Sequence, residues 1–469
     1  MRTFRHETAL FLLALIIGLT IRLIGLGAQP LSDEEAKWAL QAWNAARGVP
    51  IQLGSNVAYV SLTSGLFFVF GGASTALARL IPALAGSALI AIPLLFRERL
   101  KPRPAVILAF AFALEPGLAA LSRQAGSPIL GVVFTLAAWG FWEQRKLSWA
   151  GAFAGLALIS GPILWPGLLG LALAWALLRP FASRNGAPTP TKRRAPASPN
   201  RDWITLAAYA LGSIIIIGTG FMTAPGGLSS WIASAPEYIS GWTRLSDLPL
   251  SLLPLSVLLY QPLGLLLALV AGVAGWVQGR WRARQLSVWM LVAFFLALLY
   301  SSHQVADLVW MLIPMWALAS LQIARALNVP GEDRREVLGA IGLSFLILVF
   351  MWMDFLSLRR PGIPGDQVQL RIWLLAGSFL LLAVSLLLVA VGWSQRIAKF
   401  GALWGLAAFL SVYSGAMLMA AAGHRRVPNS AEMWQPGAQL PMANLLFSTV
   451  RDQSVWSGKD ANEQPVVIT

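Results

Sequence analysis

Three consecutive acids, Asp33-Glu34-Glu35, follow the first long apolar run of the chain and are the residues best placed to do chemistry. A carboxylate is a suitable general base for a hydroxyl whose proton leaves as a new bond forms. Three carboxylates beside a bilayer are costly to desolvate, so they belong in water or in a polar cavity. Part of the triplet has a purely structural account. Ser32 can N-cap a helix, Glu35 can close a capping box with it, and acids in a first turn suit the helix dipole. That explains Ser32 and Glu35 fully, in a helix running to about Arg47-Gly48, and accounts less well for Asp33 and Glu34.

The elements that must hold these acids are apolar helices. Of 469 residues 57% are hydrophobic and 12% charged, against roughly 25% charged in soluble domains. Runs such as Leu10–Ile21, Leu206–Ile217 and Leu374–Val391 carry no charge and approach the ~20 residues that cross a hydrocarbon core. A transmembrane barrel would instead alternate over ~10-residue segments. The fold class is therefore an all-α, polytopic transmembrane bundle of about thirteen spans. They fall near 8–28, 75–96, 104–122, 128–143, 147–160, 163–178, 203–222, 255–277, 286–300, 307–324, 337–356, 370–392 and 401–422. Residues 1–423 form this module and 424–469 an extracytoplasmic tail, whose strand-like end Pro465–Thr469 reads as the start of a truncated domain. The first extracytoplasmic loop, 29–74, holds juxtamembrane helices, one of them the apolar segment 56–71. The Pro-, Ser- and Arg-rich stretch 180–202 reads as a cytoplasmic linker.

The net charge of +15 is read as topology rather than nucleic-acid binding, because cytoplasmic loops accumulate Lys and Arg. With the N-terminus inside, most basic residues fall inside, and the acidic triplet and the tail fall outside. The plasma membrane is the expected location, with membrane lipid as a partner and nucleic acid excluded. There is no cysteine, which excludes disulfides, thiol catalysis and Cys-ligated metals. No Asp-X-Asp pair, metal-binding His/Glu helix or phosphate-cradling glycine loop is evident, so neither metal nor cofactor is expected.

Cations on the outer face are few. Arg123, with Gln124 beside it, ends the third span and is suited to bidentate phosphate binding; interfacial snorkelling is its ordinary alternative. His303 and Asp307 precede the tenth span, where the imidazole could bind a phosphate oriented by the carboxylate, or form an ordinary solvated pair. Arg22 and Arg79 lie in or near spans, where an unpaired charge is expensive, so each is expected to have a partner, with Asp33 or Glu34 available to Arg22.

Arg22, then Pro30-Leu31-Ser32-Asp33-Glu34 and a glycine-ended helix, resembles the first extracytoplasmic loop of GT-C glycosyltransferases of the protein O-mannosyltransferase-like and aminoarabinose-transferase-like group. Phe70-Gly71-Gly72 with Ala78-Arg79-Leu80-Ile81-Pro82-Ala83-Leu84-Ala85-Gly86 is similar to that family's second span. Glu115-Pro116 with Leu121-Ser122-Arg123 is similar to its third. The resemblance implies a polyprenyl-phosphate-linked sugar as donor and inverting transfer to a glycan, lipid or protein acceptor. It implies an acid of the Asp33-Glu34 pair as the acceptor-binding group or base, taken here as Asp33 with Glu34 in support, and its Ser-Arg element falls on Arg123; Gln124, Glu35, His303 and Asp307 are the further substrate-binding candidates. The chain departs from the family pattern at Ser55-Asn56, Ser127-Pro128 and Ser160-Gly161-Pro162, where relatives often carry lysines or a second acid. Two other classes stand beside this one: a lipid-linked sugar transporter or flippase, and a non-catalytic GT-C-derived membrane protein.

Overall fold

The computed structural model describes residues 2–49, 53–184, 199–222, 226–326, 334–358, 364–424, 432–434, 449, 452–454 and 456–458. Helices account for all regular structure among them. The order is α1 (Arg2–Leu23), α2 (Asp33–Ala46), α3 (Val57–Phe70), α4 (Thr75–Leu89), α5 (Ile92–Leu95), α6 (Arg97–Leu100), α7 (Pro102–Leu114), α8 (Pro116–Ser122), α9 (Ile129–Glu143) and α10 (Leu147–Leu158). Then come α11 (Leu164–Arg184), α12 (Pro199–Gly218), α13 (Gly227–Ile232), α14 (Ser234–Gly241), α15 (Leu252–Tyr260), α16 (Pro262–Val277) and α17 (Trp281–Leu299). A 3-10 turn (Val305–Leu308) leads into α18 (Val309–Ala326), followed by α19 (Arg334–Leu358), α20 (Gly365–Gly392) and α21 (Gln395–Ala421).

Among the described residues nine helices are long and apolar enough to cross a membrane, and two bent pairs bring the number to eleven. Each of the thirteen expected segments is helical, but two of them, α9 and α10, have 15 and 12 residues and fall short of a straight crossing. The expected third and eighth spans are not single helices. Pro116 and Pro262 each open a new helix at its N-terminal end, because proline lacks the N–H that would continue the old one. The bends are 59° between α7 and α8 and 95° between α15 and α16. The expected linker is also narrower than its composition implies: α11 continues to Arg184 and α12 begins at Pro199. Its middle, like the strand-like run 465–469, lies outside the described residues.

The chain divides into two compact units, one of Met1–Gln322 with Leu418–Thr469, the other of Ile323–Met417. In the first, α10 packs against α12 through Gly151 and Gly155. A Cβ on either would come within 2.4 Å of a backbone carbonyl of α12, so the small-xxx-small spacing sets the closeness of the two helices. In the second, Gly401 and Gly405 of α21 face the Cβ atoms of Ala340 and Ser344 of α19, which a Cβ of their own would approach within 2.4 and 2.6 Å. An ion pair near a helix end in that unit joins Arg371 to Asp354 at 3.4 Å.

The loop that holds the acids is built locally. Ser32 is the N-cap of α2, and the reciprocal capping box with Glu35 forms. Gly48 takes up a left-handed φ of +69° just after the last turn, the usual stop for a helix. The juxtamembrane helix α3 ends the same way at Gly71, φ +67°.

Candidate functional site

The triplet is split by its own helix geometry. Glu35 is 5% exposed and forms a two-pronged ion pair with Arg79 of α4, Nε to Oε1 and Nη2 to Oε2, both 2.7 Å. The same carboxylate accepts the Ser32 amide at 3.0 Å and the Ala125 amide at 2.9 Å. Arg79 spends its remaining donors on the carbonyls of Leu26, Gln29 and Pro30. Glu35 and Arg79 therefore bind the end of α1, the start of α2, α4 and the turn after α8 into one block. Asp33 and Glu34 occupy the first two positions of the same helical turn, are exposed, and make no hydrogen bond or ion pair among the described residues.

The other arginines are bound to backbone. Arg123 is buried and donates from Nη1 to the carbonyls of Ile21, Arg22 and Ile24 and from Nη2 to that of Gly25, at 2.7–3.1 Å. The last carbonyls of a helix have no partner within it and carry the negative end of its dipole, so Arg123 is a side-chain cap for α1. Burial, and then the nearby Arg79 charge, lower its pKa to about 10. Arg22 is fully buried and donates to Phe112 and Ala113 carbonyls at 2.9 and 3.2 Å and to Ser122 Oγ at 3.1 Å. Phe112 lies four residues before Pro116, so its carbonyl has no amide to receive. Arg22 mends the break in the third span instead of pairing with Asp33 or Glu34.

Gln124 donates its side-chain amide to the carbonyl of Trp434 in the tail. His303 faces two carbonyls, Nδ1 to Tyr300 at 3.2 Å and Nε2 to Leu248 at 2.9 Å. Its own carbonyl accepts Ser246 Oγ at 2.8 Å. Asp307 accepts the Gln304 amide at 2.8 Å and closes the capping box of the 3-10 turn. His303 thus fastens the loop after α14 to the loop after α17, and Asp307 holds the turn that follows it. Among the described residues no hydrogen bond or ion pair joins them to Asp33, Glu35 or Arg123, whereas Glu35 and Arg123 are brought together through Ala125 and the end of α1. No group of three or more His, Asp or Glu side chains able to hold a metal ion occurs among the described residues.

A second polar cluster escapes sequence reading. Glu115, fully buried, caps α8 by accepting the Leu118 amide, and its Oε1 accepts Gln261 Nε2 at 2.6 Å. Tyr260 donates its hydroxyl to Glu432 Oε1 at 2.6 Å. The signal that could reveal it is a polar residue directly before a proline inside an apolar run, Glu115-Pro116 and Gln261-Pro262.

Fold and site together define a multi-pass helical membrane protein with an exposed carboxylate pair at the start of α2 in its first unit. No family model matches the chain, and no curated protein sequence matches it. Its fold does match solved structures. The crystal structure of ArnT from Cupriavidus metallidurans bound to undecaprenyl phosphate superposes with a TM-score of 0.51 at 15% identity, over 88% of this chain and 77% of that one. The apo state of the same protein gives 0.50 and 15% over the same shares. The likeness is one of fold: the helices of this chain are arranged as in ArnT.

Proposed function

We propose that the chain is an integral membrane glycosyltransferase that takes a sugar from a polyprenyl-phosphate carrier and transfers it to a hydroxyl on the extracytoplasmic face. The observation that carries this reading is the division of the acidic triplet: Glu35 is locked by Arg79, while Asp33 and Glu34 on the same turn have no partner among the described residues. A rigidly mounted helix end carrying two open carboxylates suits a base that must meet an incoming hydroxyl. The ArnT-like fold supports the donor class, since that protein was solved with undecaprenyl phosphate bound.

In this reading the Asp33 carboxylate removes the proton of the acceptor hydroxyl as its oxygen attacks the anomeric carbon. The bond from that carbon to the phosphate oxygen breaks, and the lipid phosphate leaves with the electron pair, inverting the sugar. Glu34 supports the base. Arg123 keeps its N–H groups on α1 and contributes positive potential toward the departing phosphate. His303 and Asp307 shape the neighbouring loops. The protein sits in the plasma membrane with its N-terminus cytoplasmic, following the Lys/Arg asymmetry of its loops.

The test is Asp33→Asn in membranes supplied with a radiolabelled polyprenyl-phosphate sugar. Transfer is expected to fall by roughly 10²–10⁴-fold with an unchanged unfolding midpoint. Transfer at the wild-type rate removes Asp33 from its role. One observation favours a second reading, a flippase for lipid-linked sugars: two broken spans meet at a buried acid, an arrangement common in transporters. Sugar-lipid flipping in liposomes without transfer would select that reading.

A further inference from the structure

The two bent helix pairs break where they touch. α7 yields to α8 at Glu115-Pro116, α15 to α16 at Gln261-Pro262, and the residue before each proline bonds the other, Gln261 Nε2 to Glu115 Oε1. Irregular backbone at membrane depth persists only where protein buries it or a cavity adjoins it, and discontinuous helices are frequent sites of polar ligands. Here a piece of the tail fills the junction. Trp434 is 2% exposed, and its ring lies so flat on α8 that a Cβ on Gly117 would come within 2.6 Å of it. The ring stands edge-on to Tyr260, centroids 6.5 Å apart. Two side chains tie down the segment, Gln124 on the Trp434 carbonyl and Tyr260 on Glu432.

The fit is incomplete. Gln261 is 0% exposed, yet its Oε1 has no hydrogen-bond partner among the described residues, and the buried Trp434 Nε1–H has none either. Folded proteins satisfy nearly all such groups. The indole thus fills the junction without satisfying its polar groups.

We propose that this junction is a binding pocket for the sugar ring of the lipid-linked donor, and that Trp434 is its resident plug. Indole and sugar share a flat apolar face, which Gly117 and Tyr260 accommodate. A sugar adds what the indole lacks, hydroxyls that donate to Gln261 Oε1 and accept from the Gln124 amide once the Trp434 carbonyl leaves it. The identity of the ring rests on the glycosyltransferase reading. Because the plug must leave first, apparent affinity is reduced by the fraction of molecules in which it is out.

The experiment uses the full chain in detergent, with methyl glycosides of common pentoses and hexoses as probes and thermal unfolding as readout. Trp434→Ala is expected to bind at least one glycoside at tenfold or more lower concentration than the wild type. Adding Gln261→Ala in that background is expected to abolish the gain. Trp434→Leu, which fills part of the space, serves if the alanine variant does not fold. The absence of cysteine makes Met433→Cys a single labelling site. Its maleimide reaction should be slow at rest and several-fold faster with the bound glycoside, or with Gly117→Leu evicting the ring. Folded Trp434 variants without saturable binding, a Gln261→Ala change that does nothing, or Met433→Cys labelling indifferent to ligand would each overturn the proposal. Binding without sugar transfer by any form leaves the pocket standing and removes the transferase reading. Transfer by the wild type with no binding gain in the Trp434 variants removes the pocket and leaves the transferase reading standing.

Discussion

The basic cluster at the end of α1 and the acidic pair at the start of α2 are close in sequence and put to opposite uses. Arg22, Arg79 and Arg123 are all buried, and together they donate to the backbone carbonyls of the α1 end, the loop after it and the broken end of α7. Asp33 and Glu34 are exposed and bind nothing among the described residues. A guanidinium presents five donors in a fixed fork, so each arginine can satisfy carbonyls that helix ends and a proline leave open. The cations are thereby spent on architecture. The carboxylates, raised on a capped turn with their third neighbour clamped, are left free for an incoming group.

The largest expected effect tests the clamp. Arg79→Ala leaves Glu35 buried at 5% exposure with its ion pair gone and uncovers three carbonyls of the loop before α2. Removing one partner of a buried pair typically costs about 3–5 kcal/mol. A large fall in the unfolding midpoint is expected, and Glu35→Gln should cost less, because its one amide oxygen still accepts from Arg79 and from either the Ser32 or the Ala125 amide. A stability change in Arg79→Ala no larger than that of a surface substitution would mean that the block around α2 is held by something else.

Arg22 comes next. Arg22→Leu keeps an apolar filler but strands the Phe112 and Ala113 carbonyls at the break in the third span. Each buried group left unmet costs about 1–3 kcal/mol. The check is thermal unfolding of Arg22→Leu against Arg22→Lys, which can still reach one carbonyl. A wild-type midpoint in Arg22→Lys, with the loss confined to Arg22→Leu, would assign the residue's worth to charge alone rather than to the fork. Ser32→Ala is a smaller perturbation, about 1 kcal/mol for a lost N-cap. It sharpens the comparison because it loosens the turn that carries Asp33 without touching a charge. Its expected signature is a modest drop in midpoint and a larger drop in sugar transfer.

How much of this is legible in the sequence follows the reach of each signal. The capping box of Ser32 and Glu35, the end of α2 near Gly48 and the helical class come from residues within a turn of one another, and the structure has them. That Arg79 needs a partner follows from its place in an apolar run, but its choice of Glu35, 44 residues away, does not. Periodicity assigns faces and says nothing of which faces meet. The sequence points Arg22 toward a carboxylate; the structure gives it carbonyls freed by Pro116, which requires knowing that the third span is broken. Glu115-Pro116 and Gln261-Pro262 are visible as polar-proline pairs, but hydropathy runs through them as continuous spans. Gly151-Gly155 and Gly401-Gly405 also stand in the sequence with the spacing of close helix contacts. Trp434 belongs by composition to a polar tail, because its burial is set by Gly117 and Tyr260 far earlier in the chain.

The smallest expected effect concerns the single titratable member of the basic cluster. His424 Nε2 lies 2.9 Å from the Ile21 carbonyl, the same oxygen that Arg123 Nη1 reaches at 3.1 Å. Burial lowers its pKa below the ordinary 6.5, the Ile21 carbonyl opposes that shift, and the Arg123 charge adds to it. The unfolded chain therefore binds the proton more readily than the folded one. By linkage this group's contribution is complete above about pH 6.5 and is lost as pH falls through that value toward the lower folded one. The ring is only partly buried, so solvent screening keeps the loss small. His424→Gln retains a side-chain amide for the carbonyl and removes the titration. The unfolding midpoint of the wild type should fall more steeply than that of the variant as pH drops below about 6.5. Parallel slopes would mean that the cationic end of α1 tolerates one more positive charge, and that its carbonyls, rather than mutual repulsion among its cations, set the balance there.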